Sequence, residues 1–107
     1  MKSRYSMTMV SVGKESEAKN IAKALVEQKL AACVQLLPIQ STYIWQGKFE
    51  CDAEILMLIK SRKDDFAAIE RVVRSLHSYD AAEIISFISL LDHSYTLTGS
   101  MRHVDEC

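Results

Sequence analysis

Hydrophobic spacing along this chain switches between a period of two and one of about 3.6, and the order of the switches restricts the fold more than any other feature. Tyr5 to Val12 is rich in β-forming residues and alternates, with Met7 and Met9 on one side and Thr8, Val10 and Val12 on the other; Gly13 ends it. From Ser16, read as an N-cap, Ala18, Ile21, Ala22 and Leu25 form one apolar stripe with Lys19, Lys23 and Glu27 turned away, which predicts a helix near 16–28. A strand follows over 32–45, where Pro38 removes a ladder donor and indicates an edge or a bulge. Gln46-Gly47 turns the chain into a second long strand, 48–60, whose Ile55 to Ile59 stretch is apolar on both faces. Ser61 with Asp64 reads as a weak capping pair, and Phe66, Ile69, Val73 and Leu76 predict a helix over 64–76 with a Glu70/Arg74 pair outside. His77 to Asp80 breaks it, and 84–91 reads as a last strand, with Ile84, Ile88 and Leu90 on one face and Ile85, Phe87 and Leu91 on the other. Beyond Asp92 no period is visible.

The order β-α-β-β-α-β predicts an α+β, ferredoxin-like split βαβ sandwich, in which two helices cover one face of a four-stranded sheet. At 107 residues, 49% of them apolar, the chain is expected to form a single domain over 1–107 with a core that needs no metal or disulfide staple. Both alternating faces of the last two strands are apolar, so the face without helices would expose a large patch; self-association is the simplest way to cover it.

Charge and motif content exclude several function classes. Thirteen Lys and Arg against fourteen Asp and Glu leave a net charge of -1, which steers the protein toward neither nucleic acid nor anionic lipid. Apolar runs such as Ile55 to Ile59 are far shorter than the ~18 residues of a membrane span. The opening Met-Lys-Ser-Arg-Tyr-Ser lacks the apolar stretch of a secretory signal, and Cys33, Cys51 and Cys107 are odd in number and widely spaced, so the expectation is a cytoplasmic protein with reduced thiols. RNA recognition on this strand order needs exposed aromatics on the central strands and a basic surface. Acylphosphatase-like chemistry would want an Arg-bearing phosphate loop after the first strand, where only Gly13-Lys14 stands; no nucleophile and base pair recognisably, and no enzyme is expected.

A set of motifs in one order carries a family resemblance: Ile21-Ala22, Leu25-Val26-Glu27, Leu30-Ala31-Ala32-Cys33-Val34, Ser41-x-Tyr43-x-Trp45-x-Gly47-Lys48, Glu54, Ile59-Lys60-Ser61, His77-x-Tyr79 and Glu83-Ile84. Over roughly Met7 to Tyr95 the chain resembles the divalent-cation tolerance family, CutA. The resemblance implies a ferredoxin-like subunit in a tight homotrimer, linked to copper and other divalent metals, without an established reaction. It also implies Cys33, His77 and Glu83 as metal-site candidates: a soft sulfur and an imidazole suited to copper(I), with the Glu83 oxygen orienting His77. No tightly bound cofactor follows, and weak copper binding is the expectation. The bland readings are a small buried apolar residue for Cys33 and a helix-end partner for His77. Tyr43 and Trp45 share a strand face and are expected to pack as large rings at an interface. Glu54, Lys60 and Tyr79 are assigned to an inter-subunit cleft or interface, the place where similar nitrogen-signalling trimers bind small ligands. A small-ligand sensor and a scaffold trimer anchoring another protein therefore stay open. Ser78 and Ala82 stand where the family has prolines, Ser11 to Lys14 replaces its Thr-x-Pro-like stretch, and Tyr95 to Thr98 replaces its Tyr-Leu-x-Trp pattern.

Overall fold

The computed structural model describes residues 4–78 and 84–88. Four strands, β1 (Tyr5–Val12), β2 (Cys33–Trp45), β3 (Lys48–Arg62) and β4 (Ile84–Ile88), form one antiparallel sheet in the order β2-β3-β1-β4. Helices α1 (Glu15–Glu27) and α2 (Phe66–Leu76) connect them in the predicted sequence, so the ferredoxin-like arrangement holds. The predicted strand residues 89–91 lie outside the described residues.

β1 alternates as its period demands: Ser6, Thr8, Val10 and Val12 are buried, and the residues between them are half-buried. Val10 and Val12 join Met57 and Ile59 from β3, Ala18, Ile21 and Leu25 from α1, and Ile69 and Val73 from α2 in one core. Both helices thus cover the same sheet face. On the other face Met7, Met9, Leu56 and Leu58 are only half-buried and Leu37 is exposed. On β3 that face is the apolar surface which two-faced patterning predicted; the β4 side chains from 85 to 88 lie outside the described residues.

Two caps differ from the sequence reading. Lys14, in extended conformation, occupies the N-cap of α1 and makes no side-chain cap bond; its carbonyl accepts Ala18 N–H, and Ser16 lies inside the first turn. Ser61 caps no helix, because β3 runs on to Arg62 and buries it: its Oγ lies 3.4 Å from Ser6 Oγ across the β1/β3 pairing and donates to the Arg62 carbonyl. A 3₁₀ turn at Lys63–Asp65 opens α2 instead. At the far end of α1, Lys29 takes φ 59°, Leu30 N–H reaches the Leu25 carbonyl and Lys29 N–H the Val26 carbonyl. This paired bonding past a left-handed residue stops the helix without a glycine.

Gln46 (φ 50°) and Gly47 (φ 77°) are both left-handed, as a two-residue hairpin turn matched to strand twist requires. The turn sets Trp45 opposite Lys48, and β2 and β3 then pair over their whole length. β1 accompanies β3 only as far as Val12↔Ile55. The seven pairs from Ile39↔Glu54 to Trp45↔Lys48 therefore form a two-stranded arm, projecting roughly 20 Å at ~3.3 Å per residue. Pro38 lies at the base of this arm on β2, which is an edge strand.

Candidate functional site

The described site residues fall into three places rather than one. His77 follows the last turn of α2, and its N–H closes that turn on the Val73 carbonyl at 2.8 Å. Its ring is buried, with Nε2 2.8 Å from the Ser11 carbonyl oxygen at the end of β1. A carbonyl only accepts, so Nε2 carries the proton and donates it. The Ser11 carbonyl thus fixes the orientation of the ring. Ser78 donates its N–H to Glu17 Oε1 and its hydroxyl to Glu17 Oε2 at 3.0 Å.

Cys33 opens β2 at the opposite end of the sheet, opposite Lys60, which in turn pairs with Met7. It is half-buried rather than buried, packed beside Ala32 and Tyr5, because its strand is at the edge and its side chain is on the face without helices. Between the Cys33 and Ser11 positions lie four residues along β1 and two strand spacings, roughly 16 Å from strand geometry. Sulfur and nitrogen on one ion approach to about 4 Å, from bond lengths of ~2.3 and ~2.0 Å. Cys33 and His77 of one chain therefore cannot share a metal. Among the described residues no three His, Cys, Asp or Glu side chains gather into a metal-holding group. Tyr79 and Glu83 lie outside the described residues.

Tyr43 and Trp45 lie on the arm. Their shared face is as predicted, but within one chain they are exposed, at 41% and 62%, because the arm extends past both helices. Ile44 (73%) and Phe49 (76%) are exposed as a cross-strand pair on the arm's other face. Tyr43 Oη donates to Asp52 Oδ2, diagonally across the hairpin. That bond to Asp52, then lost hydration and the negative field of Asp52, Glu50 and Glu54, pushes the phenol from 10.0 up to about 12. Glu54 and Lys60 are half-buried and make no ion pair among the described residues; Glu15–Lys19, Lys23–Glu27 and the predicted Glu70–Arg74 pair along the helices.

Sequence reasoning missed Asp52 and Glu17. The first was within reach, since the Gln46-Gly47 turn sets Tyr43 opposite Glu50 and hence diagonal to Asp52. The second carried only the signal of an acid in a first helical turn, and its partner comes from 61 residues further along the chain.

Residues 6–97 match the CutA1 divalent ion tolerance protein family. Human protein CutA is 48% identical over 82 residues, which are 76% of this chain and 46% of that protein. The periplasmic divalent cation tolerance protein CutA from Archaeoglobus fulgidus superposes with a TM-score of 0.83 at 33% identity, covering 94% of this chain and 98% of that one. CutA1 from the psychrotrophic bacterium Shewanella sp. SIB1 superposes at 0.85 with 31% identity, covering 96% and 97%. The chain spans about half the length of the vertebrate relatives it matches. Among the described residues no helix is long and apolar enough to cross a membrane.

Proposed function

This chain belongs to the CutA1 divalent ion tolerance family, and from that premise we propose that it serves divalent-cation tolerance as a homotrimer with weak, exchangeable copper contact and no chemical reaction of its own. The observation that carries the assembly is the arm. Ile44, Trp45 and Phe49 project beyond the core, and burying a large apolar side chain contributes about 1.5–3 kcal/mol. Among the described residues β2 also has an unpaired outer edge along thirteen residues, a template that natural proteins cover or blunt. A second copy of the chain covers both. Reduced Cys33 and Cys51 suit a cytoplasmic setting.

Metal contact in this reading joins copies. Cys33 of one chain supplies the soft sulfur, and the His77 imidazole of another supplies nitrogen, with Glu83 nearby in sequence to His77 as an orienting oxygen. Two soft or borderline ligands make a site of modest affinity. The test is a titration of wild type, Cys33→Ser and His77→Ala with copper(I) against a competing chelator under reducing conditions. Weaker binding by both variants is expected, and equal binding by all three removes the site.

A small-ligand sensor is the second reading, favoured by Lys60, a half-buried cation without an ion pair among the described residues. Small anions that raise the melting temperature of wild type but not of Lys60→Met would support it over metal contact.

A further inference from the structure

The exit of α2 is gripped at two points by one short stretch of chain. The His77 ring is bonded to the Ser11 carbonyl, and six residues on from Ser11 the Glu17 carboxylate takes both donors of Ser78. Ser11 and Glu17 flank the junction of β1 and α1, so the His77-Ser78 dipeptide is held between two jaws of a single element boundary. Glu17 is 8% exposed, and a carboxylate so placed is costly unless its oxygens are engaged. Both engage Ser78, and Glu17 makes no ion pair among the described residues.

We propose that Glu17 is the positioning residue of His77: by clamping Ser78 it fixes the chain just past the end of α2, and so keeps the imidazole in the orientation in which Nε2–H meets the Ser11 carbonyl. Without the clamp, the Nε2–H bond to the Ser11 carbonyl opens more often and the tautomer it selects is no longer held alone. This deepens the reading of His77 as a ligand, and rests on that reading only for what the positioned ring is for.

The experiment uses ¹⁵N-labelled, metal-free protein at pH 8. Long-range proton–nitrogen correlations report the tautomer of each imidazole, with His77 assigned by comparison with His77→Gln, and amide exchange reports Ser78. Wild type should show the Nε2–H form alone. Glu17→Ala should speed Ser78 amide exchange at least tenfold and average the His77 nitrogen shifts. Glu17→Gln, which keeps an acceptor for Ser78 N–H and an amide for its hydroxyl, should preserve the wild-type ring signature. If Glu17→Ala does not fold, Glu17→Asp retains the charge but falls a methylene short of Ser78, and both readouts should move the same way. A folded Glu17→Ala or Glu17→Asp with an unchanged His77 signature overturns the proposal. Because no metal is present, failure of copper to bind removes the ligand reading and leaves the clamp standing, whereas an unchanged ring removes the clamp whatever copper does.

Discussion

Tyr43 shows how a single acceptor sets the behaviour of an exposed side chain. Ionising the phenol places a phenolate against the Asp52 carboxylate and removes the bond between them, so the proton is retained to about pH 12. Absorbance titration should find one tyrosine with that late transition, and Asp52→Asn should bring it back toward 10. The linkage sign follows: between about 10 and 12 the unfolded chain has released this proton and the folded chain has not, so this group's contribution to stability falls as pH rises through that window. Lys29 offers a second test at the same scale. A side chain at φ 59° is strained where glycine is not, and Lys29→Gly should stabilise the fold by about 0.5–1 kcal/mol, read as a higher midpoint in urea.

Among the elements, the β2/β3 arm and the helix-covered body answer mutation differently. Trp45 is exposed in the single chain, so Trp45→Ala should change the stability of a dissociated subunit by no more than about 0.5 kcal/mol. In the proposed assembly the same ring is an anchor, and its loss should weaken association by about 2 kcal/mol or more, measured as dissociation on dilution. Leu25, fully buried between helix and sheet, should show the converse, with Leu25→Ala costing about 2–5 kcal/mol of subunit stability. Equal effects of Trp45→Ala on isolated and assembled protein would place the arm in solvent in both. The arm itself was legible, because Gln46-Gly47 between two alternating segments fixes pairing by turn length alone. Its projection past the helices was not, since that depends on where β1 stops pairing with β3.

At the scale of the whole molecule, the half-exposed face of Met7, Met9, Leu56 and Leu58 and the apolar arm make a lone subunit an unsatisfied object. Light scattering after size exclusion should return three times the 12.1 kDa chain mass. A monomer at micromolar concentration would dismiss the assembly, and with it any metal shared between Cys33 and His77.

Residue order by itself determined the elements, their sequence and the two-faced sheet, because period and turn chemistry are local: Val10 and Val12 are buried for the reason that they alternate with Met9 and Ser11, and Gln46-Gly47 turns whatever surrounds it. Cap identities were misjudged where the tertiary structure outweighed local preference. Ser61 has the chemistry of a cap, yet β1 extends the ladder and claims it for β3. The candidate site depended on tertiary structure still more. The family resemblance names Cys33 and His77 together, but strand register sets them at opposite ends of the sheet, and the partners that orient His77, the Ser11 carbonyl and through Ser78 the Glu17 carboxylate, come from far earlier in the chain, 66 positions before His77 and 61 before Ser78. Contacts between such distant positions arise only when the helices pack on the sheet, and no local period encodes them.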